Sequence, residues 1–189
     1  MLPAIWFVGD DYAALLTPLY QWTIEHVEPL FHVQNVAFRE SNGRQLFHFA
    51  VTTAKPMVVE GHVLPTGIGL SASTLSGHAM QHLLIVFFIA ASWPARHWVE
   101  YSYRLIFVAV ALLIIEMADV PLMIVGTLMD LLLANLAPDR LSSNAWVVWM
   151  NTMNGGGRIA LSVSGGLISV LVSAAISRTV IKKLALTTG

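Results

Sequence analysis

The chain has 189 residues, of which 56% are hydrophobic and 11% charged, with a net charge of −1 and a mean hydropathy of +0.69. A soluble domain carries about 25% charged residues. The composition therefore leaves room for roughly three or four membrane spans but excludes a large soluble domain beside them, and it offers nucleic acid no basic surface. Cysteine is absent, which excludes disulfides, thiolate metal sites and thiol chemistry.

Residues 1–32 open on MLPAIWFVGDD, which lacks the basic stretch of a standard cleaved signal peptide. Asp10 and Asp11 have the character of a helix N-cap. Leu16, Tyr20, Ile24, Val27 and Phe31 then follow helical spacing, with Gln21, Glu25 and Glu28 on other faces and Pro18 as a source of a kink. The pattern suits a broken first span, an interfacial amphipathic helix, or a gene start placed too late.

Residues 33–65 change to a period of two. Asn42-Gly43 is a strong hairpin signal, because a type I′ turn needs positive φ at both central residues. A turn centred there pairs Phe38 with Phe47, Val36 with Phe49 and Gln34 with Val51, giving one largely apolar face. Met57–Leu64 reads as a third strand of the same small meander. Such a sheet cannot stand alone, so it must lay its Phe/Val face on membrane, helices or a partner.

Membrane helices are expected through 66–189. Gly61–Ala95 contains no Asp, Glu, Lys or Arg, and its span is expected at 75–93, ended by Trp93-Pro94. Arg96, His97 and Arg104 follow and mark a cytoplasmic end, which places the hairpin outside the cytoplasm. A single helix over Tyr101–Leu136 would be about 54 Å long at 1.5 Å per residue. Pro121 is the natural break, giving one span over 101–118 and an apolar segment over 122–136 that is membrane-embedded or interfacial. Residues 137–157 form an outer loop with Trp146 and Trp149 at the interface. The last span is 159–177, flanked by Arg158 and by the denser cluster Arg178, Lys182 and Lys183, which puts the C-terminus in the cytoplasm.

Four groups of residues carry whatever chemistry the chain has. Ser162, Gly165, Gly166, Ser169 and Ser173, continued by Ser177, form a row of small side chains on the last span, a surface that lets a second helix approach closely. His78 and His82 share a helix face, a spacing that suits a shared metal, a haem or a chlorophyll if Glu116, Asp119 or Asp130 completes the set. Without that, they are interfacial histidines making hydrogen bonds. Glu116 and Asp119 share a face and should meet Arg158 in a structural ion pair, since ionisable residues at membrane depth are costly unless paired. Gly155–Arg158 has the composition of an anion-binding nest or, more simply, a hinge. Nucleophile elbow, phosphate loop and HExxH motifs are absent.

A leading apolar helix, a short extracytoplasmic β segment, Val63-Leu64-Pro65-Thr66-Gly67 at the entry to a span, Asp130-Leu131-Leu132 and a final span together resemble the small membrane proteins associated with bacterial exosortases. The resemblance is one of architecture across most of the chain. It implies an accessory role in protein sorting at the cell envelope. The exosortases themselves resemble cysteine transpeptidases, a chemistry that a chain without cysteine cannot perform.

The sequence thus predicts a mainly α, polytopic protein of the bacterial inner membrane with three to four transmembrane helices and a small extracytoplasmic β segment. It predicts a non-catalytic accessory or structural subunit that meets other membrane subunits through the small-residue face and the hairpin, as a hetero- or homo-oligomer in lipid. No cofactor is expected; a metal- or pigment-binding subunit built on His78 and His82 is the alternative.

Overall fold

The computed structural model describes residues 2–41 and 43–187. The fold is mainly helical with a small antiparallel sheet. The chain divides into two compact units, Met1–Met80 with Met117–Gly156, and Gln81–Glu116 with Gly157–Gly189.

The first unit begins with helix α1, Leu2–Val27. It runs through Asp10 and Asp11, so these do not cap it, and through Pro18 without ending. Leu16, Tyr20 and Ile24 lie at successive four-residue steps and are buried, as their spacing requires. Val27 is exposed and Phe31 belongs to the next element.

Strands β1 (Phe31–Ser41) and β2 (Arg44–Thr53) form the hairpin. Ser41 pairs with Arg44, which leaves a two-residue connection. Gly43 has φ of +69°, the left-handed conformation that glycine tolerates best; Asn42 lies outside the described residues. Phe38 faces Phe47 and Val36 faces Phe49. The third expected pair is not formed: Val51 faces Val33, and Gln34 is left over in a β-bulge between Val33 and Asn35.

The bulge has an evident cause. Without it, alternation would carry polar Gln34 inward and Val33 and Phe31 outward. The extra residue reverses the phase, so that Phe31 and Val33 are buried and Gln34 is exposed. Helix α1 takes up the backbone groups displaced from the ladder. Val33 N–H donates to Glu25 Oε1 at 3.0 Å, and Gln21 Nε2 donates to Val33 O at 3.4 Å.

Met57–Leu64 does not extend this sheet. It forms its own hairpin, β3 (Met57–Val59) with β4 (His62–Leu64), around Glu60 and Gly61, both at positive φ. The third strand of the main sheet is β5 (Gly69–Leu75), antiparallel to β2, in a sheet ordered β1-β2-β5. Residues 69–75 are therefore strand, although they fall in the stretch expected to be helical.

The sheet lays its apolar face on helices of the same unit. Phe31, Val33, Phe47, Phe49, Val51 and Ala72 join Leu16, Tyr20 and Ile24 of α1 in one core. The Tyr20 and Phe47 rings meet edge-on at 5.6 Å between centroids. Helix α4 (Val120–Leu136) completes that core with Val120, Ile124, Val125 and Leu128; Pro121 sits in its first turn, where a missing N–H costs nothing.

Residues 137–157 are mostly helical rather than a loop. A 3-10 segment, Pro138–Ser143, leads to α5 (Ala145–Thr152) and a π-type turn, Met153–Gly157. Asn144 caps α5, its Oδ1 accepting from the N–H groups of Trp146 and Val147. Gly156, at φ of +110°, is the last residue before the chain passes into the second unit.

The second unit holds most of α2 (Gly77–Ser92), α3 (Trp98–Ala118) and α6 (Arg158–Thr187). Its core is Val86 and Ala90 of α2, Val108 and Ile115 of α3, and Val170 of α6. Two helical stretches of the chain, Trp98–Leu136 and Ala145–Lys182, are long and apolar enough to cross a membrane; Gly77–Ser92 is a shorter apolar helix.

Candidate functional site

The small-residue row of α6 is packed within its own unit. Ser162, Gly166, Ser169 and Ser173 are buried, and Gly165 is partly so. A Cβ at Gly165 would stand 2.6 Å from Ile115 Cδ1 of α3, and one at Gly166 would stand 3.1 Å from Ile89 Cβ of α2. Ser169 donates to Phe107 O on α3 at 3.1 Å. The absent side chains of α6 are thus replaced by α2 and α3 of the same chain, and this face is not open to another subunit. Val170, on the same helix, is 1% exposed and belongs to the core.

Of the two histidines, His82 is fully buried, with Nδ1 2.7 Å from Ser162 Oγ. The same hydroxyl reaches Arg158 O at 2.8 Å. The contact joins α2 to α6 at the row itself. His78 is half-buried in the first unit, with Nδ1 3.2 Å from Thr74 Oγ1 at the end of β5. Among the described residues, no group of three or more His, Asp or Glu side chains is arranged to hold a metal ion.

Glu116, Asp119 and Arg158 are all buried. Asp119 precedes α4 without capping it through its side chain. Trp149, one of the two tryptophans assigned to the interface, donates from Nε1 to Ala118 O, and Trp146 donates from Nε1 to Glu28 Oε2 at 3.1 Å. Both indoles are tied into the first unit.

The most developed polar site lies where α2 turns into α3. Arg104, taken from the sequence as one of the residues that mark a cytoplasmic end, is 3% exposed and sits about two turns inside α3. Its Nη2 donates to Glu100 Oε1 at 2.7 Å, and both groups are buried. Its Nη1 donates to Ala90 O at 2.9 Å and to Trp93 O, carbonyls at the C-terminal end of α2. A cation there complements the negative end of the helix dipole. The guanidinium also lies 5.5 Å from the centroid of the Tyr101 ring. The other Glu100 oxygen accepts from Arg96 N–H at 3.2 Å, which closes the turn. The signal in the sequence was the spacing of Glu100 and Arg104, acid four residues before base on one helix. Arg96 and His97 remain exposed.

Beside this clamp is a cavity of about 220 Å³ between α2 and α3, lined by Phe87, Ala90, Ala91, Tyr101, Arg104 and Leu105 among others. On the sheet, His48 Nδ1 lies 2.9 Å from Ser73 Oγ. Partial burial, and then the Arg39 charge, hold its imidazole below the ordinary histidine value.

Neither a family model, nor a curated protein, nor a solved structure matches this chain.

Proposed function

We propose that this chain is a multi-pass protein of the bacterial inner membrane, with three to four spans, that serves as a non-catalytic accessory subunit of a larger complex. The observation that carries the reading is the outer surface of α3 and α6. Leu105, Ile106, Val110, Leu113 and Ile114, with Ile159, Ile168 and Leu171, are each more than a third exposed. An apolar surface of this extent is costly in water and costs nothing in hydrocarbon.

The buried polar groups support a structural role over a reactive one. His82 links α2 to α6, and Arg104 with Glu100 closes the α2–α3 turn. Because α6 uses its small-residue row within the chain, a partner must meet the apolar outer side of α3 and α6 or the outer side of the sheet. The orientation proposed has the hairpin outside the cytoplasm and the C-terminus within it. An exosortase-type sorting system is the narrower identification, and it rests on the layout of elements alone.

Fractionation and mild-detergent purification test the reading together. The protein should resist carbonate extraction and co-purify with another integral membrane protein in fixed proportion. Release by carbonate overturns the membrane assignment. Recovery as a monodisperse single species overturns the accessory role.

A further inference from the structure

The sheet β1-β2-β5 has β1 and β5 at its edges. The pairing of β1 with β2 fixes which backbone groups of β1 point off the sheet. Leu30 O accepts from Ala54 N–H at one end, and Ser41 pairs with Arg44 across the two-residue connection at the other. In an antiparallel ladder, residues that exchange hydrogen bonds alternate with residues whose N–H and C=O point away. Phe31 and Val33 therefore turn theirs outward, and beyond the bulge Val36, Phe38 and Glu40 do so.

Helix α1 and the turn after it cover the first part of this edge. Phe31 N–H donates to Glu28 O, Val33 N–H donates to Glu25 Oε1, and Val33 O accepts from Gln21 Nε2. Beyond the bulge that cover ends. Among the described residues, no hydrogen bond joins the outward groups of Val36, Phe38 or Glu40. The bare stretch is centred on Phe38, between the bulge and the hairpin turn. Phe38 packs on Phe47 with 4.8 Å between ring centroids, yet is 39% exposed. An open edge of this kind is a template for another strand. The β5 edge differs, because its core-side residues Ala72 and Thr74 are already buried and pairing there would cover no apolar side chain.

We infer that β1 pairs antiparallel with β1 of a second copy of this chain, about a twofold axis at Phe38. In that register Phe38 opposes Phe38 of the second copy, Val36 opposes its Glu40, and Glu40 opposes its Val36. Every outward N–H and C=O of the stretch then has a partner, and the contact is reciprocal, as twofold symmetry requires. The Phe38 rings meet on the core side and cover each other's exposed edge. Arg39 opposes Ala37 rather than a like charge. An axis at Arg39 would set the two arginines against each other, and an axis at Ala37 would set Glu40 against the bulge at Gln34 and leave its backbone unpaired. This pairing involves the first unit alone and goes beyond the accessory role proposed above.

The chain has no cysteine, so a single introduced one reports a single contact. Opposed residues of a hydrogen-bonded pair lie about 5.5 Å apart at Cα, a separation that a disulfide spans. Oxidised in lysates of the producing cells, full-length Phe38→Cys should yield a product of twice the chain mass. Ser71→Cys, exposed on β5, should not. Sedimentation of the purified wild type in mild detergent should show a dimer that dissociates on dilution. Glu40→Pro removes an N–H that points away from β2, a loss that an edge strand tolerates. It should weaken the dimer about thirtyfold, because the symmetry removes a pair of hydrogen bonds together. Glu40→Ala, which keeps the N–H, should dimerise as the wild type does. A wild type that is monomeric at every concentration, or equal dimerisation by the two Glu40 variants, overturns the inference. Equal cross-linking at positions 38 and 71, or a Phe38→Cys product with a different protein, also overturns it.

Discussion

Glu25 serves two neighbours with one oxygen. Its Oε1 accepts from Val33 N–H at the bulge and stands 2.8 Å from His32 Nδ1. A residue that reads as the polar face of α1 therefore sets the phase of β1, so that two apolar residues rather than one polar residue enter the core. His48 poses a different question, of pH. Its imidazole is harder to protonate in the folded protein than in the unfolded chain, first through partial burial and then through Arg39. Below about pH 6.5, the ordinary histidine value, the unfolded chain then binds more protons, so stability falls as the pH drops towards the lower folded value. His48→Gln should flatten that fall. Urea titrations of both proteins at pH 7.5 and 5.5 check it, and identical losses in the two would reject the assignment to His48.

At the scale of elements, two glycines make contrasting helix contacts. On α4, a Cβ at Gly126 would stand 2.5 Å from Trp146 O and 2.7 Å from Met150 Cβ, both on α5. Backbone cannot yield cheaply, so Gly126→Ala should cost about 1–3 kcal/mol through overpacking. On α6, the first obstacle at Gly165 is the terminal methyl of Ile115, which can rotate away. The helical preference for alanine offsets up to about 1 kcal/mol, so Gly165→Ala should be close to neutral. Gly165→Leu, which must also displace Ala111, should lose about 1–3 kcal/mol. Leu171→Met, at an exposed position of the same helix, serves as the control. Thermal unfolding of the four variants in one detergent ranks them; a Gly165→Ala as damaging as Gly126→Ala would contradict the contact geometry.

These elements were legible in the sequence to different degrees. The Phe38–Phe47 and Val36–Phe49 pairs and the break at Pro121 follow from turn chemistry and local periodicity, which act within a few residues. The bulge at Gln34 depends on Glu25 and Gln21 of another element. Strand β5 reads GLSASTL, small and polar residues with no strong pattern, and becomes a strand by pairing with β2. Helix α5 was obscured by its two tryptophans, which suggested a membrane interface but hydrogen-bond inside their own unit. The Arg104 site was hidden because a basic residue near a span end is ordinarily a loop marker, and only its burial reveals the clamp.

For the whole molecule, the proposed orientation makes a direct prediction. Cysteines placed at exposed Ser41, beside the hairpin turn, and exposed Lys182, near the end of α6, should react with an impermeant maleimide from opposite sides of the inner membrane. Equal labelling of both in intact spheroplasts would reverse or abolish the assignment. The α2–α3 clamp bears on how such a chain is made. Arg104 draws its counter-ion from α3 and two of its acceptors from the end of α2. Presented alone to an insertion machinery, α3 would bring a guanidinium lacking the acceptors that α2 provides. Presented as a closed hairpin with α2, the same residue arrives neutralised and with most of its N–H groups satisfied. Biogenesis should therefore handle this pair as one cargo, with the turn shut in the interface before either helix commits to the bilayer.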